Sequence, residues 1–324
     1  MKRNSSLRQL AVALTITILT LGWSACQNRK SPTPPDAEKI PKQLTMHGET
    51  RTDPYYWMND RDNPEVISYL EAENEYTTTV MKDTEDLQDK LYEEIVGRIQ
   101  QDDSTVPYRE NGYYYYVRYE SGGEYPVYCR KKESLDAEEE ILLDGNEMAV
   151  DYDYFDIGSI SISPDNNIMA YSTDTVSRRM YTIYFKDLTT GEVMPYTLSN
   201  TMGTCSWAAD NKTVFYSVKN PETLRAEKIL RHNINLQQNE DQEVFYEDDE
   251  TYNCYVHKSK SDRYIIISSH STLSTEYRFL DSSNPEGEFT IVHPREKELE
   301  YHVSHFGDNF YILTNLEAQN FRLM

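Results

Sequence analysis

Four copies of one strand-turn-strand unit restrict this chain more than any other feature of its sequence. They read SISPDNNIMAYSTD from Ser161, CSWAADNKTVFYSV from Cys205, HKSKSDRYIIISSH from His257 and HVSHFGDNFYILTN from His302, with Asp165, Asp210, Asp262 and Asp308 marking the turns. Each copy is a hairpin, and a period of roughly 45 residues leaves room for two more short strands before the next. A lone four-stranded sheet cannot bury both faces. Stacked radially on its neighbours it can, and that arrangement is a β-propeller blade.

The strands of the best-preserved unit are GSISISP, NNIMAYSTD, YTIYFKDL and EVMPYTLS. Blades are expected at Tyr108–Val150, Asp151–Asn200, Thr201–Glu250 and Thr251–Leu299, with a fifth begun at Glu300 by one hairpin. Runs such as GYYYYVRYE, YPVYCRK and KTVFYSV read as strands of period two. Asn111-Gly112, Ser121-Gly122-Gly123, Asp144-Gly145 and Thr190-Gly191 read as the turns between them. The 27 tyrosines and only 12 glycines suit half-buried strands, where a ring covers the sheet and its hydroxyl stays wet. The fold class is therefore mainly β, a propeller of about four and a half blades. Open sheet edges would be left exposed, which folded β proteins avoid, so the propeller is read as truncated.

Residues 62–101 carry the only strong helical pattern. Asn63 can cap, Pro64 suits the first helical position, and Val66, Ile67, Leu70, Thr77, Val80 and Met81 form a stripe. Asp83 or Thr84 can cap a second helix, along which Leu87, Leu91, Ile95 and Ile99 recur on one face. The stripe reads as packing surface.

Lys2, Arg3 and Arg8 precede the apolar run Leu10 to Gly22, which is short for a membrane span and reads as an export signal over residues 1–26. WSAC at Trp23 to Cys26 resembles a bacterial lipobox, in which the Cys26 thiol would be acylated. Trp23 stands where an aliphatic residue is usual, leaving ordinary signal cleavage and an uncleaved anchor as alternatives. Residues 27–41 are polar and proline-rich, a tether to the folded part. The expectation is an exported protein, periplasmic or lipid-anchored in a bacterial envelope.

A formal charge of −23 argues against nucleic acid, whose phosphates need clustered Lys and Arg. It favours either simple solubility or the attraction of cationic ligands. Glu247 to Glu250 (EDDE) is a candidate contributor to such a field, with a solvated loop as the plainer reading. Cys129, Cys205 and Cys254 are expected as buried free thiols. No Cys/His spacing suggests a metal, and His302 and His305 should point to opposite faces of a strand. DYDYFD from Asp151 lacks the glycine of a calcium loop and reads as a blade connection. No cofactor is expected.

RTDPYYWMNDRDNPEVISYLEAENEYT at Arg51 to Thr77, EYPVYCRK at Glu124, ILLDGNEMA at Ile141 and the stretch Ser163 to Glu192 together resemble the prolyl oligopeptidase family, nearest to oligopeptidase B. The similarity runs collinearly from about Ile40 to Met324. It implies a helical arm (42–107), a seven-bladed propeller of which 108–324 would be part, and an α/β-hydrolase domain that these residues lack. It also implies a serine peptidase that cuts short peptides after Arg or Lys, with the propeller restricting entry.

Such chemistry needs a Ser on a strand-to-helix elbow, a His base and an orienting acid. No G-x-S-x-G occurs: GSISIS at Gly158 and GTCSW at Gly203 both lack it. None of His47, His232, His257, His270, His293, His302 and His305 stands in triad order with such a Ser. No catalytic residue is assigned, and the triad is expected beyond residue 324. The alternative is a non-catalytic surface lipoprotein whose propeller binds peptides or a protein partner.

Overall fold

The structure is a computed structural model that describes residues 32–324. Residues 1–26, read above as an export signal with Cys26 at its end, and the first part of the expected tether lie outside the described residues. Among the described residues no helix is long and apolar enough to cross a membrane. The chain divides into two compact units, 1–100 and 101–324.

The first unit holds a hairpin, Lys42–Met46 with Glu49–Asp53, turned by His47 and Gly48 at positive φ. Helix α1 (Pro64–Met81) starts as its sequence dictates: Asn63 accepts a hydrogen bond from the Glu65 amide, and Pro64 occupies the first turn, where its missing N–H costs nothing. Helix α2 (Glu85–Val96) differs from expectation. Thr84 sits at its N-cap, but its hydroxyl donates back to the Met81 carbonyl and caps nothing. Of the α1 stripe only Val66 is buried; Ile67, Leu70, Val80 and Met81 are exposed, as are Leu87, Leu91 and Ile95 of α2. Ile99 lies past the helix end.

The second unit is a series of antiparallel sheets. In blade one, Asp103–Ser104 and Tyr108–Glu110 both pair with Tyr113–Tyr119, followed by Val127–Lys132 and Glu139–Asp144. Blade two runs through Asp156–Ile162, Ile168–Asp174 and Tyr181–Asp187. Its fourth strand does not end where the repeat predicts. Val193–Trp207 is one continuous 15-residue strand that serves first as the outer strand of blade two and then as the first strand of blade three. The crossing falls at a register shift between Thr201 and Cys205, where Asn200 (φ 58°) and Gly203 (φ 90°) turn the backbone and no loop is needed. Thr213–Lys219, Ala226–Asn233 and Gln242–Tyr246 complete blade three. Blade four contains Asn253–Lys258, Tyr264–His270, Thr275–Asp281 and Thr290–His293, and the fifth sheet contains Tyr301–Phe306, Asn309–Thr314 and Arg322–Leu323.

Successive sheets bury residues against one another, and the second strands of blades two, three and four contribute to both sides. Met169 and Tyr171 pack toward Tyr115 and Leu143 of blade one, while Ala170 joins Phe185, Trp207 and Tyr216. Phe215 faces Val256 and Ile267 of blade four, and Ile266 faces Tyr301 and Val303 of the fifth sheet. This corrects the expectation of alternating burial: Ile265, Ile266 and Ile267 are all buried because both faces of the strand are covered.

The turns also refine the repeat. In blades two and three Asp165 and Asp210 accept the amides of Asn167, Lys212 and Thr213, an Asx arrangement that pins the hairpin. The next residues, Asn166 and Asn211, take positive φ (64° and 61°). In blade four that left-handed place belongs to Asp262 (φ 60°), and the place of Asp165 is taken by Ser261. Asp262 is therefore one position out of line with Asp165. Asp308 is different again, lying in a two-residue turn between Phe306 and Asn309 with Gly307 at φ 61°. Asn111-Gly112 forms the expected hairpin, both residues at positive φ. Asp144-Gly145 does not: Asp144 caps a short helix, α3 (Gly145–Ala149), by accepting the Asn146 and Glu147 amides.

Candidate functional site

The first strands of blades one to four converge on a shared cavity of about 540 Å³. Its wall is made by Tyr108 and Glu110 of blade one, Ile160 and Ser161 of blade two, Thr204 and Cys205 of blade three, and His257, Lys258, Lys260 and Asp262 of blade four. Four consecutive sheets opening on one space define its axis.

Close packing holds these strands in place. The Tyr181 ring lies against Gly158 and Gly203 on neighbouring first strands, where a Cβ would meet it at 2.6 and 2.8 Å. Tyr181 donates its hydroxyl to Asp156 (2.6 Å) and Ser159 donates to the Gly203 carbonyl (2.5 Å). The glycines of GSISIS and GTCSW thus serve strand approach. Ser159, beside the first of them, is spent on the neighbouring backbone.

The histidines fall into separate places. His47 lies in the exposed hairpin turn of the first unit. His293 pairs with Glu296 (2.9 Å) at the surface. His232 is fully buried, its Nδ1 2.6 Å from Asp241, which also accepts the Tyr216 hydroxyl (2.7 Å). His232 Nε2 has no partner and the ring stacks on Phe185, so no serine completes this Asp-His pair. His305 Nδ1 lies 2.7 Å from Ser261 Oγ, tying the blade-four turn to the fifth sheet. The ring is buried on Tyr264. As expected, His302 faces the opposite way from His305 and is exposed. His257 lines the cavity, whereas the His270 ring lies 6.4 Å from that of His302, whose Nδ1 is 3.3 Å from the Tyr277 hydroxyl.

The remaining candidates resolve similarly. Cys129 and Cys254 are free and buried as expected, whereas Cys205 is free but only half-buried at the cavity wall. Burial pushes the thiols of Cys205 and Cys254 up to about 12, so they stay protonated and are poor nucleophiles. Among the described residues no group of three His, Cys, Asp or Glu is disposed to hold a metal ion. DYDYFD is a connection leading into blade two, with Phe155 buried against Tyr125. In EDDE only Glu247 is withdrawn from solvent, while Asp248, Asp249 and Glu250 are exposed, as a solvated loop would have them. Glu247 is 1% exposed and receives two hydrogen bonds from Arg295 (3.0 and 2.7 Å), while Asp249 accepts from Thr251. Its buried carboxylate is neutralised and adds little to any field in the cavity. Sequence reasoning missed these long-range pairings, since nothing in the local pattern links positions 247 and 295.

Four-stranded sheets stacked about one axis make residues 101–324 part of a β-propeller. The chain belongs to the prolyl oligopeptidase family of serine peptidases: residues 35–324 match the family's N-terminal β-propeller domain. It is 40% identical to dipeptidyl aminopeptidase BI of Pseudoxanthomonas mexicana, over 99% of this chain and 46% of that protein. It is 34% identical to protease 2 of Moraxella lacunata, over 90% of this chain and 43% of that protein. Oligopeptidase B from Leishmania major superimposes with a TM-score of 0.83 at 31% identity, covering 90% of this chain and 44% of that one. The chain therefore spans less than half the length of these relatives.

Proposed function

We propose that this chain is the propeller-bearing portion of an oligopeptidase B-like enzyme that hydrolyses short peptides after Arg or Lys, the propeller limiting access by size. The observation that carries the reading is the superposition on oligopeptidase B across 90% of the chain. The axial cavity, walled by four blades, supplies the space through which a peptide would pass. A second reading, release of dipeptides from a free amino terminus, is favoured by the 40% identity to a protein named dipeptidyl aminopeptidase.

The test begins with the reading frame past the Met324 codon, whose product is assayed beside the 324-residue chain on fluorogenic peptides. The chain alone is expected to cleave none of them, because no described Ser is joined to both a His and an acid. The longer product is expected to cleave amino-blocked peptides after Arg and Lys. Activity confined to unblocked dipeptidyl substrates selects the second reading. A stop codon after Met324, with a folded product that binds peptides, selects a non-catalytic binding protein.

We also propose an exported, lipid-anchored location, on the strength of the apolar run Leu10 to Gly22 followed by Cys26. Metabolic labelling with a radioactive fatty acid should mark the wild type, and Cys26→Ala should lose the label. Equal labelling of both would end the lipoprotein reading.

A further inference from the structure

On blade one the wall of the axial cavity carries an aromatic face and a free carboxylate side by side. Tyr108 and Glu110 stand two residues apart on one strand, so their side chains share a face of the sheet, and both line the cavity. The Tyr108 ring is 60% exposed and is held by stacking on its cross-strand partner Tyr115, with ring centroids 5.5 Å apart. Tyr115 is buried and donates its hydroxyl to Asn166 Oδ1 (3.3 Å), while Asn166 Nδ2 donates to the Asn111 carbonyl (3.1 Å). The blade-one hairpin is thus locked to the blade-two turn. Glu110 makes no hydrogen bond or ion pair with another described residue.

The neighbouring charges leave that carboxylate available. Asp262, the other acid lining the cavity, pairs with Lys258 (3.4 Å), and Lys260 on the same wall is exposed with no ion pair to a described residue. A cation is therefore repelled from the blade-four wall and drawn to blade one. Arg109, between Tyr108 and Glu110, faces the other side of the sheet, where it lies 5.9 Å from the centre of the Tyr114 ring. Arg130, across from Tyr115 on the next strand, is 3% exposed and donates two hydrogen bonds to Glu140 (2.7 and 2.9 Å), so it does not compete for Glu110.

We propose that Tyr108 and Glu110 form a cation subsite of the axial cavity, the ring covering the face of a guanidinium or ammonium and the carboxylate pairing with it from the same strand. The group it takes is a positive charge on a short peptide, from an Arg or Lys side chain or from a free amino terminus. The subsite rests on the peptide-channel reading above and adds to it the place where the peptide's charge is held. At about 3.4 Å of rise per residue the two side chains leave the strand about 7 Å apart, a gap that one guanidinium spans. The cavity of about 540 Å³ lies within the span of small-ligand pockets, about 300 to 1,000 Å³.

Fluorescence anisotropy at low salt on the full chain tests this with three pentapeptides carrying a carboxy-terminal dye. One is amino-blocked with a single Arg, one is amino-blocked with neutral citrulline in its place, and the third is the citrulline peptide with a free amino terminus. The Arg peptide, the free-terminus peptide or both should bind about tenfold more tightly than the blocked citrulline peptide, and which of them does so identifies the source of the charge. Glu110→Gln and Tyr108→Ala should each cut that preference to about threefold or less, whereas Tyr108→Phe keeps the ring and should retain it. The blocked citrulline peptide should bind wild type and variants alike, and a loss shared equally by charged and neutral peptides would mark a disturbed strand and overturn the subsite. A preference absent from the wild type, or unchanged in both Glu110→Gln and Tyr108→Ala, overturns the subsite and leaves the peptide channel standing. Failure of all three peptides to bind overturns the peptide-channel reading and the subsite with it.

Discussion

Trp207→Ala should lower the unfolding free energy by about 4 kcal/mol and the thermal midpoint by about 10 °C, the cost of emptying a large aromatic site that cannot collapse. Trp207 is 2% exposed and stands at the end of the strand shared by blades two and three. Its ring meets Phe185 edge-on at 6.1 Å within the cluster of Ala170, Ile183, Leu198 and Tyr216. Its indole Nε1 donates to the Ser161 carbonyl (3.1 Å) on the first strand of blade two, so one side chain ties two first strands together. Trp207→Phe keeps most of the packing and loses the donor, and should cost about 1 to 2 kcal/mol. Urea unfolding followed by far-ultraviolet circular dichroism measures both. A Trp207→Ala protein within about 1 kcal/mol of wild type would show that blades two and three are not held at this point.

Glu247→Ala should cost about 2 to 3 kcal/mol, because it leaves the partly exposed Arg295 guanidinium over Tyr252 with only the longer pair to Glu276 (3.3 Å). Glu247 lies just after the last strand of blade three, and Arg295 just after the last strand of blade four. Arg225 adds to the connection by donating to the carbonyls of Glu247, Asp249 and Tyr252. Replacing both partners with apolar residues, Glu247→Leu with Arg295→Met, should cost less than the sum of the single changes, and a double-mutant cycle reads the difference. Burial alone would raise the Glu247 carboxyl, but the hydrogen bonds from Arg295 hold it below the ordinary carboxylate value. Its contribution is therefore present above about pH 4.3 and lost as pH falls through the folded value. Additive single mutants and an acid limb unchanged in Glu247→Gln would refute the bridge.

The helix start at Asn63-Pro64, the Asn111-Gly112 hairpin and the Asx turns at Asp165 and Asp210 were legible because each is a local matter of a few backbone hydrogen bonds. The blade period was legible because turn residues recur with it. The reading slipped where sequence spacing stood in for geometry. Asp262 looks like Asp165 by letter but occupies the left-handed place of Asn166, and Asp144-Gly145 offers the same residues to a hairpin or to a helix cap. The candidate site was hardly legible at all. Tyr108, Ser161, Cys205 and His257 come from four separate strands, and only the stacking of the four sheets brings them to one cavity wall.

By itself the sequence determined a mainly β chain of repeated hairpins behind a helical segment, since turn chemistry and strand-length runs act over a few residues. The tertiary structure alone decided that Ile265, Ile266 and Ile267 are all buried, that EDDE is anchored by a buried ion pair, and that Val193–Trp207 runs unbroken between two blades. Each depends on a neighbouring sheet roughly 45 residues away, whose covering face supplies the apolar contact or counter-charge that no local pattern encodes.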